Sequence, residues 1–365
     1  MARTFGRREL FLTGTSTALA AVSLSGCDLL STEPSGGKGT KDRAPAASRA
    51  KEAPMLAARV DAGELPPLAE RLPSKPLVVR PLERVGTYGG TWTSALLGPG
   101  DTPWLDKTVH YDNLMRWKPD FSGVVPNIAA SVDVVKDGRE YVFHLRPGMR
   151  WSDGGPFTSA DIVFAVRDIL LNADVSPVPP GWLVADDTPV TVDAPDETTV
   201  RFTFRRPMGL FLQNLASLVG TPLTTCPRHY LEKFHQKYDE NATPAAKDAG
   251  FSDWTELLAA KRSSTENPEL PNLFAWVHRT ALGDSNRMIA ERNPYYWKTD
   301  PDGRQLPYID KVVFDIVEND QVILLKATNG EFGLHARHIN TLRNKPVLAK
   351  NRERGKYGFF ELVPS

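Results

Sequence analysis

The chain predicts an α/β fold with mixed sheets, not a doubly wound parallel one. Three observations lead there. Tyr141, Phe143 and Leu145 alternate with Val142, His144 and Arg146, the period of two that half-buries a strand. They follow Val132, Val134 and Val135 across Lys136-Asp137-Gly138-Arg139. An Asp-Gly pair between strand-like runs marks a hairpin, because Gly accepts the positive φ of the turn. Thr158-Ser159-Ala160-Asp161 then places a hydroxyl cap three residues ahead of an acid, a relative of the capping box. Ile162, Val163, Val166, Ile169 and Leu170 follow at helical spacing.

Taken in chain order, residues 1–27 read as an export leader. Arg3, Arg7 and Arg8 form a positive start, and a mildly apolar stretch follows that is too short and too polar to span a membrane. Arg7-Arg8-Glu9-Leu10-Phe11-Leu12 resembles a twin-arginine export signal. Leu24-Ser25-Gly26-Cys27 resembles a lipobox, which makes Cys27 the expected lipidation site. Residues 28–75 are rich in Ser, Gly, Lys, Ala and Pro, and are expected to form a flexible tether.

The body alternates strand and helix signals. After the hairpin, Trp151-Ser152-Asp153-Gly154-Gly155-Pro156 forms the turn that delivers the chain to the cap at Thr158. A second hairpin is expected over 189–206. There Val190 and Val192 precede a loop at 193–197, and Val200, Phe202 and Phe204 alternate after it. Val312 to Val317 reads as a later strand. Further helices are expected over 210–219, 227–236, 254–260 and 321–329.

Composition excludes several classes. Among 365 residues, Lys+Arg and Asp+Glu both number 44, so neither a broadly basic nucleic-acid binder nor an acidic tail is indicated. Two Cys rule out a disulfide framework and a Cys-based zinc site. Cys226 reads as a buried apolar Cys. No nucleophile elbow and no phosphate-binding loop occurs, and Leu97-Gly98-Pro99-Gly100 lacks the helix-opening context of a phosphate cradle. No cofactor, metal site or enzymatic activity is therefore expected. His335-Ala336-Arg337-His338 reads as surface histidines or as a polar patch facing a ligand.

Four blocks, in order, resemble the family 5 extracellular solute-binding proteins of ABC importers, the oligopeptide- and dipeptide-binding group. The first is His110-Tyr111-Asp112-Asn113-Leu114-Met115-Arg116-Trp117 with 125–131. The second, and most specific, runs over 141–154 and 156–164. The third is Arg292-Asn293-Pro294-Tyr295-Tyr296-Trp297-Lys298 with 305–313, and the fourth is Ala327-Thr328-Asn329-Gly330-Glu331-Phe332-Gly333. In the fourth block the family usually carries Asp where this chain has Gly333.

The resemblance implies a periplasmic-binding-protein-like α/β fold, type II with an extra subdomain, whose two lobes close over a peptide or similar solute. It implies 76–317 as the first lobe and 318–365 as the crossover and incomplete start of a second, in an apparently C-terminally truncated chain. The partners implied are a peptide or other small-molecule ligand, ABC permease subunits and the membrane through a lipid anchor. A monomer without nucleic acid is expected. The shared motifs around Trp151 and Tyr295 read as scaffold. Ligand contacts are expected from the 94–104 loop, which faces the cleft in the family, through Ser94 and Trp104. Tyr111, Asn113, His335 and Arg337 join them, Arg337 as a partner for a ligand carboxylate. The competing readings are a receptor for an oligosaccharide, nickel chelate or haem, and a surface hydrolase or adhesion lipoprotein.

Overall fold

The computed structural model describes residues 51–360. The leader, Cys27 and residues 28–50 of the expected tether lie outside them. In chain order the elements that matter are α1 (Pro54–Asp61), α2 (Leu68–Arg71), β1 (Leu77–Val78), β2 (Thr91–Leu96) and α3 (Thr102–Thr108). Next come β3 (Met115–Trp117), β4 (Val124–Pro126), β5 (Ala129–Val135), β6 (Glu140–Leu145) and α4 (Ser159–Phe164). They are followed by β7 (Thr191–Asp196), β8 (Thr199–Thr203), α5 (Phe211–Ala216) and α6 (Trp254–Lys261). The series ends with β9 (Trp276–His278), β10 (Arg287–Arg292), β11 (Lys298–Thr299), β12 (Lys311–Ile316), α7 (Asp320–Thr328) and α8 (Lys345–Gly355).

The two expected hairpins build one antiparallel sheet in the order β5-β6-β8-β7. Lys136, Asp137 and Gly138 all take positive φ in the first turn. In the second hairpin β7 runs on to Asp196, so the loop is shorter than the residues suggested. Pro195 is tolerated there because β7 is an edge strand that need not donate on its outer side. Phe143, Phe202 and Phe211 pack beneath this sheet in the larger apolar core.

Thr158 caps α4 as expected. Its Oγ1 accepts from the Ala160 N–H, and the Asp161 carboxylate accepts in return from the Thr158 N–H at 2.8 Å. A second Asp161 oxygen accepts from the Arg228 N–H, so one acid caps two chain segments. The helix continues as a π-helical turn over Ala165–Leu170. The expected helices at 254–260 and 321–329 form as α6 and α7, capped by Asp253 and Asn319. Those expected at 210–219 and 227–236 are broken: α5 ends at Ala216 before a 3-10 stretch containing Pro222, and Arg228–Leu231 passes into a 3-10 turn.

A second, mixed sheet has the order β9-β10-β12-β2, with β2 and β12 parallel and the others antiparallel. Its one face carries Trp92, Leu96, Met288, Ala290, Val312 and Phe314, over which α3 lays Leu105 and Val109. Ala95, on the alternate face of β2, packs with Ile323 of α7 and with Ile339.

The expectation of a tether through residue 75 is corrected for residues 51–75, which fold back onto the domain. Ala53 and Leu56 of this segment are buried. Arg71 is fully buried; its guanidinium pairs with Glu52 and donates to the carbonyl of Pro294 and to Gln305 Oε1. A buried guanidinium demands such partners, and two of them, Pro294 and Gln305, lie more than 200 residues away, where composition carries no sign of them.

The blocks that carry the family resemblance interlock as scaffold. Asp112 pairs with the buried Lys298 and accepts from Tyr296 Oη at 2.9 Å and Asn127 Nδ2 at 3.2 Å. Trp151 and Trp297 are fully buried. Gly154, at φ +91°, lies so close to the Tyr295 ring that a Cβ would sit 2.8 Å from its hydroxyl. Cys226 is buried as expected, and burial pushes its thiol pKa up.

Candidate ligand-binding site

Four of the six expected contact residues gather at the C-terminal end of β2. Ser94 stands on that strand, and Trp104 on α3 just beyond it. His335 and Arg337 come from the segment after α7, which runs along the free edge of β2. The Gly333 N–H bonds the Thr93 carbonyl at 3.0 Å, and Trp92 Nε1 donates to the Leu334 carbonyl at 2.9 Å. Gly333 lies against Trp92, where a Cβ would make ordinary contact with the indole at 3.4 Å.

The centre of the cluster is a residue that the sequence reading passed over. Asp101 closes the turn after β2 by accepting the Leu97 N–H at 2.7 Å. It also pairs with Arg337 Nε and takes His338 Nε2 at 2.8 and 2.9 Å. Burial alone would raise the Asp101 carboxyl pKa, yet the Leu97 amide, His338 and Arg337 together hold it below the ordinary carboxylate value. His338 takes a left-handed φ of 65° to reach it. A non-glycine residue in that region carries strain that its surroundings must hold in place.

His335 has a different role from His338. Its Nδ1 accepts from the Ser94 hydroxyl at 2.9 Å, and its Nε2–H donates to the Arg337 carbonyl at 2.7 Å. Burial lowers its pKa and keeps the ring neutral, which suits this tautomer. Ser94 is buried behind the ring, so it orients His335 and presents no hydroxyl to solvent. The two imidazoles of the 335–338 segment face separate partners and do not converge on a common point.

A cavity of about 440 Å³ opens beside this cluster, lined by Trp104, Lys107, Ala336, Arg337, His338 and Asn340. That is a size suited to a small ligand or one unit of a longer one. Trp104 supplies a flat apolar wall, Lys107 a cation, and the 336–340 segment the remaining polar groups. Arg337 pairs through Nε with Asp101 and also lines the cavity.

Tyr111 and Asn113 do not join the cluster. Tyr111 Oη donates to the Ala216 carbonyl, with Arg116 stacked 4.7 Å over its ring. The buried Asn113 donates to the Ser217 carbonyl at 2.6 Å and accepts from Thr221. Both hold the end of α5 in place. Asp101, Lys107 and Asn340 are the site residues the sequence reading missed. The one local signal was an acid directly after Gly98-Pro99-Gly100 in the loop that follows a strand, a position where short polar side chains close turns.

Comparisons with known proteins agree with this architecture. Residues 123–362 match the model of the bacterial extracellular solute-binding proteins, family 5 Middle. The periplasmic alpha-galactoside-binding protein of Rhizobium meliloti (strain 1021) is 31% identical over 276 residues, covering 70% of this chain and 38% of the relative. A solved oligopeptide-binding protein OppA superposes with a TM-score of 0.79 at 42% identity, covering 84% of this chain and 48% of that one. The periplasmic binding protein MelB from Agrobacterium fabrum C58, solved with stachyose, gives 0.60 at 28% identity, covering 77% of this chain and 43% of that one. The chain thus spans less than half the length of these relatives, and its fold is periplasmic-binding-protein-like. By the match over residues 123–362 and by the shared fold, this chain belongs to the bacterial extracellular solute-binding proteins, family 5.

Proposed function

We propose that this protein is the solute-capturing component of an ABC importer. It binds a peptide outside the cytoplasmic membrane and presents it to permease subunits. The observation that carries this reading is the 440 Å³ cavity at the end of β2, walled by Trp104 and edged by a pre-set Asp101–Arg337–His338 network, in a chain of family 5. Groups held in place before the ligand arrives lower the ordering cost of binding it. The peptide reading draws on the 42% identity to the oligopeptide-binding protein.

A second ligand class, an α-galactoside oligosaccharide, is favoured by the Rhizobium relative, by the stachyose complex and by the indole in the wall. A sugar ring offers a C–H face that packs on an aromatic plane while its hydroxyls bond polar neighbours. Mass spectrometry of ligand that copurifies with the chain separates the two. Titrating the purified protein with a tripeptide mixture and with stachyose, followed by thermal unfolding, is the direct test. Stabilisation by either, lost in Trp104→Ala, supports the reading; no shift with either at millimolar concentration, worth about 4 kcal/mol of binding, refutes it.

In this proposal the leader exports the protein and Cys27 anchors it by lipid to the outer face of the membrane, with twin-arginine export suggested by Arg7-Arg8. Cys27→Ala should release the protein from the membrane fraction or block its processing. Unchanged membrane retention and an unchanged N-terminal mass would refute the anchor.

A further inference from the structure

Away from the cavity, two buried imidazoles meet head to head. His110 lies just past the end of α3, and His278 ends β9. Their Nε2 atoms are 2.5 Å apart, with ring centroids at 4.8 Å and planes at 82°. Both residues are buried, 2% and 4% exposed. At that distance one nitrogen donates and the other accepts, because two lone pairs or two protons would repel. The His110 ring also stacks on Phe274 at 5.0 Å, and its amide holds the Leu105 carbonyl.

The surroundings set how the pair titrates. His278 belongs to the cross-strand row His278–Ala290–Val312–Trp92 on the face of the mixed sheet that α3 covers with Leu105 and Val109. Arg292, further along the same face of β10, is taken by Asp310. Arg279, Glu291 and Lys311 alternate to the other face and pair among themselves. Phe274 and the β9 neighbours Trp276 and Val277 bring no charge. Asp106 of α3 is the carboxylate that faces the pair, 3.6 Å from His110 Nδ1. Neither ring's Nδ1 has a hydrogen-bond partner. A carboxylate therefore lies near His110 and none near His278. Burial, then the neighbouring His110, hold His278 well below the ordinary histidine pKa. Among the described residues no third His, Cys, Asp or Glu completes a metal-binding group around them.

We propose that the His110–His278 hydrogen bond is an acid-sensitive latch that seats α3, and with it Trp104 and Lys107 of the cavity wall, on the mixed sheet. At neutral pH the pair shares one N–H···N bond. When both imidazoles are protonated, two N–H donors face each other across that gap and the bond is lost. The sign follows from linkage: a His whose folded pKa is depressed binds fewer protons folded than unfolded, so its site is most stable above the unfolded value of about 6.5 and weakens as pH falls below it. The consequence for ligand capture rests on the proposed cavity; the latch itself does not.

Hydrogen exchange of the full chain, without ligand and corrected for the intrinsic pH dependence of exchange, tests the latch. Between about pH 7.5 and about pH 5, peptides covering 102–110 should lose protection by about tenfold or more, while those of β6 and β8 keep theirs. His278→Gln retains a hydrogen-bonding group but does not titrate, and should abolish that pH difference. If that variant does not fold, His110→Gln tests the same bond from the other side. Unchanged protection of 102–110 in the native chain, or the same acid-induced loss in the Gln variant, overturns the latch and leaves the receptor reading intact. A failure to bind peptide or stachyose overturns the receptor reading and leaves the latch standing.

Discussion

Replacing Asp101 by Asn tests whether the cluster at the end of β2 is organised as its geometry indicates. The change is nearly isosteric, so the packing of a residue only 2% exposed is retained. What changes is the number of acceptors. The carboxylate takes three groups: the Leu97 amide, Arg337 Nε and His338 Nε2. The carboxamide keeps one oxygen and turns an NH2 group toward the others, so a donor meets a donor. A hydrogen bond to a charged group contributes about 1.5–3 kcal/mol when buried. The Arg337 and His338 side chains are 32% and 23% exposed, so solvent screening brings the loss to the lower part of that range for each. The sum is about 2–4 kcal/mol, or a fall in Tm of roughly 3–6 °C for a chain of this size.

The pH dependence provides the control. The folded-state pKa of Asp101 is depressed, so its contribution is present above the unfolded value of about 3.9 and is lost as pH falls through the folded value. The gap between wild type and Asp101→Asn, measured by thermal or urea unfolding, should be full at neutral pH and close in strong acid. A Tm change below about 1 °C at neutral pH, or a gap of the same size below pH of about 3, would refute the assigned network.

Three further outcomes follow from the scaffold. Thr158→Ala should cost about 1 kcal/mol in urea unfolding, the usual worth of a helix cap; no measurable change would mean the hydroxyl does not cap α4. Lys298→Met should cost about 2–3 kcal/mol by leaving the buried Asp112 with Tyr296, Asn127 and, at 3.7 Å, the more exposed Arg116, and Lys298→Met with Asp112→Leu should recover most of it; a double variant as unstable as the single one would contradict this. The His229–Asp153 pair raises the His229 pKa chiefly through their 2.7 Å hydrogen bond. Its stabilisation, under about 1 kcal/mol at this exposure, should be full below about pH 6.5 and fade as pH rises through the folded value. His229→Gln should therefore narrow its deficit between mildly acidic and alkaline buffer, and a deficit that widens instead would reverse the assignment.

Much of the secondary structure was legible because its causes are local. The β5–β6 hairpin needs alternating residues and an Asp-Gly turn, and the capped start of α4 needs a hydroxyl and an acid three residues apart. Broken helices at 211–224 and 228–234 were less legible: α5 stops at Ala216, where Ser217 turns extended, and Pro222 lies in the 3-10 stretch beyond it. Within the candidate site, Ser94 and Trp104 stood out by their place in the loop after the first strand, and His335 and Arg337 by following the last family block, and the fold brings them to one end of β2. Tyr111 and Asn113 have the same polar character, but the fold spends both on the backbone at 216–217.

By itself, then, the sequence determined the α/β class, the hairpins, the caps and the family, each encoded within a few residues or in the order of short blocks. Tertiary structure alone decided which distant groups meet. Asp101 and His338 are 237 positions apart, β2 pairs in parallel with β12 across more than 200 residues, and Arg71 finds Gln305 at a separation of 234. No periodicity records such pairings. They arise because a buried charge must be matched wherever the packed sheets bring a partner, and that demand turned residues 51–75 from an apparent tether into part of the domain.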